Sequence, residues 1–540
     1  MKKKSFNPNN YNKLNNLRKK IIKDTSSFIN MDNKKIIEIG SGNGNFSKLL
    51  SKKFNSSYIY GIDIVSQYID FSKKNNNNYN IQFEKKNIYD VDSTYDIAFM
   101  IFSLTELLKN DTLENILNKI KDKILCNGYL ILVDEFFDDY SEECDLIGIE
   151  VMQKLGYKYS NYDELKSIID NTNFEIIFTK VYDNKQKMTN IFGSKLQIFY
   201  ENKLNEFDDT KKYDSELIWE TMKDKIIKAG GMRTYNKSRL IILKKTNNII
   251  DKLCTLKSDL CLYYSLSTIK DNIKYYKDLK IDNLEYAFPV KTFPNDKILN
   301  LFYINNFYFD VSNKNEEKLI RKYKTLNFYS DPTMSIRNNS YIRLYIHNIG
   351  SHFGMSYDGK SYEIYHIHIS LNKDRKIQKK MLEVISSLDY NRTKYLDIGG
   401  SYDNLSYLEF NLFLSKIRSV VPKKVKILVE TGSMWFKDSG FLVCKVKSIN
   451  SIGKIKFAYV NASRELHARW SIPKYINVNY GDNEYIICGA TCYEKDLFFH
   501  AYNTSIKYGD RLYFSNIEPY SYSFNTDFNG IDKAEVIIDE

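Results

Sequence analysis

Side chains able to do covalent chemistry follow one another in a fixed order along the second half of this 540-residue chain. The stretch EYAFPVKTFPN (285–295) sets Lys291 behind an apolar and aromatic run, just ahead of Pro294. Taken alone it is an ordinary strand-end lysine whose ammonium snorkels into water. Downstream come Asp310 in YFDVSN, Arg343 in YIRLYI, and His366, His368 and Ser370 in YHIHIS. Gly399 and Gly400 follow in YLDIGGSYD, Glu430 and Gly432 in LVETGSMW, Cys492 in CGATCYEKD, and Tyr520 in SNIEPY. Each piece has a plain reading: a histidine on an apolar strand is usually a packed one, and Gly-Gly is usually a turn. The order of amine, carboxylate, guanidinium, imidazole, glycine turn, acid, thiol and phenol is not plain.

The first half has a different set and no histidine, since all six lie at His347 or beyond. In KKIIEIGSGNGNFSKLL (34–50) an apolar strand carrying Glu38 runs into a turn with Gly40, Gly42 and Gly44, and a helical pattern follows. Glycines let a backbone turn sharply and approach a ligand, and a new helix presents free N–H groups there. The second strand, SYIYGIDIV, carries Asp63 about 20 residues past the turn, where α/β nucleotide-binding units take ribose hydroxyls.

The elements that must position these residues follow from length and pattern. A chain of 540 residues predicts two or three domains, because single cores rarely grow past about 250 to 300 residues. Strand and helix patterns alternate through the first half, which predicts a doubly wound parallel sheet. After LKKTNNII the pattern restarts, setting a boundary near residues 247–250. The net charge of +12 invites a nucleic-acid reading. Charges of both signs are interspersed, however, and no aromatic-basic recognition signature appears, so nucleic acid is not the expected partner. The seven cysteines are scattered without a C-x-x-C pair, which argues for a reducing, cytoplasmic setting and against structural zinc. The start, MKKKSFNPNN, lacks the apolar core of a secretory signal, and no apolar run approaches the roughly 18 residues of a membrane span.

The E-I-G-S-G-N-G turn, the acidic end of strand two, the strand YDIAF and the strand NGYLIL resemble, in that order, the class I S-adenosylmethionine-dependent methyltransferases. The resemblance covers roughly 26–245, with MRTYNKSRLIILKK as the closing strand. It implies that Gly40, Gly42 and Gly44 lie at the methionine part of the cofactor, that Asp63 holds the ribose, that Asn87 in KKNIYD contacts the adenine, and that Glu38 belongs to the same cofactor site. The sulfonium methyl is already activated, so proximity and a deprotonated acceptor can suffice. Glu106, Asp134, Glu135 and a tyrosine all stay open as the base.

The series from Lys291 to Tyr520 resembles the fold-type III pyridoxal-phosphate decarboxylases, the group acting on ornithine, diaminopimelate and carboxynorspermidine. That resemblance covers roughly residue 251 to the end. It implies an α/β barrel (251–438), here markedly shorter than usual between Lys291 and Asp397, followed by a β domain (439–540) and a head-to-tail homodimer. It further implies that Lys291 forms a Schiff base with pyridoxal phosphate and that Asp310 positions the lysine. His368 lies flat on the cofactor ring, Glu430 holds a proton on the pyridine nitrogen, and Cys492 protonates the product carbon in the neighbouring subunit's site. The phosphate falls to Gly399, Gly400, Gly432 and Ser370, with Tyr520 assisting, and Arg343 is a further residue of the cofactor site. Where the family has E-P-G-R this chain reads ETGS, with Ser433 in the arginine's place. Tyr493 stands after the loop cysteine, where the family usually has an acid.

The sequence therefore predicts a cytoplasmic fusion of a methyltransferase (1–247) with an amino-acid decarboxylase, taking consecutive steps on one small metabolite of polyamine, siderophore or other specialised chemistry. Two other readings compete with it. In one the barrel is a non-catalytic binding or dimerisation module, and in the other the chain methylates nucleic acid.

Overall fold

In the computed structural model, described for residues 15–154, 156–169, 172–184, 215–233, 237–246, 249–325, 327–329, 343–348, 353–355, 364–368, 375–391, 393–402, 405–453 and 455–539, the chain divides into two units, Met1–Asn248 and Ile249–Glu540. The first is built on seven strands: β1 (Lys35–Ile39), β2 (Tyr58–Asp63), β3 (Ile81–Lys85), β4 (Tyr95–Ile101), β5 (Ile124–Asp134), β6 (Phe174–Asp183) and β7 (Lys237–Lys245). They lie in the order β3-β2-β1-β4-β5-β7-β6. All neighbours are parallel except β7, which is antiparallel to both β5 and β6. Ile36, Ile97, Phe99 and Ile131 pack in one cluster with Leu17, Ile21, Phe46 and Leu50 from the helices Asn15–Ser26 and Asn45–Lys53. The alternate positions Ile37, Ala98, Met100 and Leu132 are also buried. Strands buried on both faces read as continuous apolar runs, and that is why KIIEI and YDIAFMI show no alternation.

The second unit begins in its last sheet. Strand β8 (Cys261–Tyr264) pairs with β17 (Gly440–Ile452) and with β23 (Glu535–Ile538), so the chain visits the β domain before it builds the barrel. The barrel strands are β9 (Leu284–Pro289), β10 (Tyr308–Val311), β11 (Asn327–Tyr329), β12 (Arg343–Asn348), β13 (Phe353–Met355), β14 (Ile364–His368), β15 (Tyr395–Gly399) and β16 (Lys426–Glu430). They form a nearly closed sheet in the order β11-β10-β9-β16-β15-β14-β12-β13. The described ladders are parallel except for β13, which folds back antiparallel on β12. Ala287, Phe328, Tyr395 and Leu428 from these strands form one buried cluster, with Tyr308 packed against them. Between β15 and β16 the helix Tyr407–Val420 starts at a capping box, Ser406 with Glu409, and stops before Pro422. The β domain continues with β18 (Ile455–Val460), β19 (Lys474–Ile476), β20 (Tyr480–Cys488), β21 (Leu497–Thr504) and β22 (Arg511–Ser515), in the order β19-β22-β17-β18-β20-β21.

Candidate active sites

At the C-terminal end of β1 the chain turns through three left-handed glycines, Gly40 (φ +73°), Gly42 (+51°) and Gly44 (+73°). Their surroundings differ. A Cβ on Gly40 would lie 2.7 Å from Ser103 Cβ, and one on Gly44 would lie 2.6 Å from the Phe83 ring, so both are pressed by the chain itself. A Cβ on Gly42 would meet nothing within 4 Å. That one position is where the turn leaves room for a ligand. Beside it, Asp63 Oδ2 accepts a hydrogen bond from the Gly42 N–H at 2.9 Å and Oδ1 accepts one from Val65 N–H at 2.9 Å. A carboxylate has about four lone-pair sites, so Asp63 can still accept from a ribose diol. Burial raises its pKa above the ordinary range.

Glu38 is buried beneath the turn and accepts a hydrogen bond from Ser47 Oγ; desolvation pushes its carboxyl up to about 7. The Asn87 side-chain oxygen caps the short turn that follows β3, accepting from Tyr89 N–H at 3.1 Å. The candidate bases are all engaged by their own chain. Glu106 pairs with Lys109 at 2.6 Å, and Asp134 accepts from the backbone of Leu104 (2.8 Å) and Glu135 (2.9 Å). Burial lifts Asp134 to about 7. Glu135 lies 2.5 Å from the hydroxyl of Tyr140, whose own pKa is raised by burial and by that charge.

In the second unit, β9 ends at Pro289 and the turn Val290–Thr292 puts Lys291 Nζ 3.9 Å from Asp310 Oδ2 at the end of β10. Asp310 is fully buried, while the lysine side chain keeps 40% of its surface open. Glu430, at the end of the adjoining β16, is 2% exposed. The imidazole of His366 lies against it, with Nδ1 at 3.5 Å from Glu430 Oε2 and 3.1 Å from Asp397 Oδ2. The ladder explains the trio, because His366 pairs with Asp397 on β15 while Glu430 pairs with Gly399 two residues further up. Those two carboxylate charges, after burial, raise the neighbouring Tyr402 well above an ordinary phenol.

Gly399 closes β15, and Gly400 (φ +136°) donates its N–H to Glu430 O at 3.2 Å. Gly432 is crowded, since a Cβ there would fall 2.2 Å from Thr292 Oγ1. That hydroxyl in turn donates to the Tyr520 hydroxyl at 3.2 Å. The turns after β9 and β16 and the β-domain helix Ser521–Phe524 therefore meet around Lys291, and Ser523 Oγ also donates to Lys291 O at 3.2 Å. Cys492 is an exposed free thiol on the loop between β20 and β21. Arg343 and His368 have their backbones in β12 and β14, but their side chains lie outside the described part, and Ser370 lies outside the described residues. Sequence reasoning passed over Asp397 and Thr292 and gave His366 no role. An acid inside the apolar strand YLDIG was the available signal.

These residues fit the cofactors their order implies. The glycine turn opens at Gly42 with a ribose-ready acid beside it. The barrel mouth gathers an amine, a buried acid next to it, a second buried acid beside an imidazole, and two glycine turns. A methyltransferase-domain model matches residues 36–128. A model described as pyridoxal-dependent decarboxylase, C-terminal sheet domain, matches residues 87–517, most of the chain. The chain belongs to the pyridoxal-dependent decarboxylase family. It carries a class I methyltransferase domain as well, so this decarboxylase is an enzyme of both types, with S-adenosylmethionine and pyridoxal phosphate as its cofactors.

Solved structures similar to it include the Paramecium bursaria Chlorella virus arginine decarboxylase, with 15% identity, 54% of this chain and 100% of that one covered, and a TM-score of 0.46. The Vibrio vulnificus lysine/ornithine decarboxylase complexed with cadaverine is 15% identical over 54% of this chain and 98% of its own, with a TM-score of 0.44. The Campylobacter jejuni carboxynorspermidine decarboxylase complexed with norspermidine is 16% identical over 52% and 94%, also at 0.44. No curated protein matches the chain by sequence. No helix among the described residues is long and apolar enough to cross a membrane.

Proposed function

We propose that this decarboxylase acts on a small amino-acid-derived metabolite and that its methyltransferase domain, 1–247, modifies the same metabolite in a consecutive step. The observation that carries the reading is the convergence of Lys291, Asp310, Glu430 and the Gly399–Gly400 and Gly432 turns at one end of the barrel. Pyridoxal phosphate, when bound, supplies an electron sink for the bond to the departing carboxyl group. Lys291 is the amine that holds it, and Asp310 keeps that amine oriented. Glu430 holds a proton at the pyridine nitrogen, with His366 fixed beside it by Asp397. The glycine turns and the Tyr520 hydroxyl bind the phosphate, together with Ser370, and Arg343 is a further contact to the cofactor. His368 is the further imidazole assigned to the ring. The Cys492 thiol delivers a proton to the carbon that has lost carbon dioxide, from a partner subunit in a homodimer. In the first domain Gly42 and Asp63 seat the cofactor that Glu38 and Asn87 flank. The setting is cytoplasmic, the barrel falls within 251–438 apart from strand β8, and β8 joins the β domain of 439–540.

The test is carbon dioxide release from a panel of dibasic and dicarboxylic amino acids, with and without pyridoxal phosphate, beside Cys492→Ala. Cofactor-dependent release, slowed at least 10-fold in the variant, is expected. No release from any panel member contradicts the reading.

A further inference from the structure

Thr292 follows Lys291 in the turn after β9 and is wholly buried. Two neighbours lock its side chain. A Cβ on Gly432 would fall 2.2 Å from Thr292 Oγ1, 2.7 Å from its Cγ2 and 3.0 Å from its Cβ, so the threonine occupies the space a larger residue at 432 would need. Gly432 has φ −105°, which any residue adopts, so close approach and not backbone hand is what requires glycine there. On the second side Oγ1 donates to the Tyr520 hydroxyl at 3.2 Å. The residues flanking Thr292 dock on the same β-domain segment. Ser523 Oγ donates to Lys291 O at 3.2 Å, and the Phe293 and Tyr522 rings stack with centroids 4.4 Å apart. Trp470 packs edge-on against the Tyr520 ring at 5.1 Å.

Docking alone does not need a hydroxyl at 292. Valine has the same shape, and the Lys291–Ser523 and Phe293–Tyr522 contacts already join the two segments. What the hydroxyl adds is direction. A phenol both donates and accepts. With Thr292 donating, the Tyr520 oxygen is the acceptor, and its own proton turns to another acceptor, polarised by the bond it receives. Ser433 stands where the family has arginine, so the turn after β16 brings a hydroxyl and no cation to this end of the barrel. A neutral donor binds an anion less strongly than a guanidinium does and depends more on its aim. We infer that Thr292 is a positioning residue for pyridoxal phosphate. Its hydroxyl aims the Tyr520 O–H at the cofactor's phosphate, and its methyl, wedged against Gly432, keeps the turn after β16 in place beside the lysine turn. The inference rests on the reading of Tyr520 as a phosphate contact.

The test compares pyridoxal phosphate with pyridoxal, which has the same aldehyde and ring without the phosphate. Affinities for both come from the borohydride-sensitive visible band, titrated on the full-length parent, Thr292→Val, Thr292→Ser and Tyr520→Phe. Thr292→Val and Tyr520→Phe are each expected to weaken pyridoxal phosphate about 5-fold and to leave pyridoxal within about 2-fold of the parent. Thr292→Ser, which keeps the hydroxyl, retains the parent's ratio of the two affinities. The double variant, Thr292→Val with Tyr520→Phe, binds no more weakly than Tyr520→Phe, because the threonine acts through the phenol. Should Thr292→Val not fold, the smaller Thr292→Ala carries the same expectation. A Thr292→Val protein that keeps the parent's ratio, or that loses both ligands alike as lost packing would make it, overturns the inference, while the effect of Tyr520→Phe keeps the phosphate contact intact. So does a double variant in which the two losses add. A ratio unchanged in Tyr520→Phe overturns both.

Discussion

At the scale of single residues, three neighbouring glycines serve two purposes. Gly40 and Gly44 have left-handed backbones and close protein neighbours, whereas Gly42 has the same backbone hand and open space. Gly40→Ala is accordingly expected to lower thermal stability and abolish cofactor binding together. Gly42→Ala is expected to cost roughly 1–2 kcal/mol of stability but at least 10-fold in S-adenosylmethionine affinity; calorimetric titration beside a melting curve distinguishes the two. Asp397 gives a second test. It is buried and hydrogen-bonded to His366 at 3.1 Å, and leaving a buried polar group without its partner costs about 1–3 kcal/mol. Urea unfolding of Asp397→Ala should show a loss of that size and Asp397→Asn a smaller one. The glycine turn and Asp63 were legible in the sequence because φ > 0 and a strand-end acid restrict residue type strongly. The pairing of His366 with Asp397 was not, because it depends on the register of β14 against β15, and nothing in YHIHIS states that register.

At the scale of elements, the short helix Arg464–His467 shows how a local sequence fixes an element. Ser463 caps it through Glu465 N–H at 3.2 Å, and His467 is buried with Nδ1 accepting from Ser463 N–H at 3.0 Å. Burial lowers the His467 pKa to about 4. The unfolded imidazole titrates near 6.5, so between these values the unfolded chain binds the extra proton and stability falls as pH falls. The contribution lost between pH 6.5 and 4 is at most about 3 kcal/mol. Denaturant midpoints measured across this window should drop less in His467→Gln than in the parent. Strand β8 marks the limit of reading elements from sequence. CLYY is buried at all four positions, so it carries no period, and its place between β17 and β23 comes from partners more than 170 residues away. The doubly wound first sheet was readable because strand and amphipathic helix alternate there. The barrel was readable chiefly through its chemical residues.

At the scale of the whole molecule, the chain divides into two compact units, the first with the residues proposed for S-adenosylmethionine and the second with those proposed for pyridoxal phosphate. A ligand that binds only the folded form stabilises by RT ln(1 + [L]/Kd), about 2.7 kcal/mol at 100 times Kd. Scanning calorimetry should therefore resolve two transitions, with S-adenosylmethionine raising one and pyridoxal phosphate the other. A single transition moved equally by both ligands would show that the units unfold as one. The proposed decarboxylase chemistry depends most on Lys291, the amine assigned to hold its cofactor. The most direct measurement is the visible absorption of the full-length protein with added pyridoxal phosphate, beside Lys291→Ala. The expected result is a Schiff-base band in the parent that borohydride bleaches and that the variant lacks. A band of equal strength in both proteins, or in neither, would contradict the central claim.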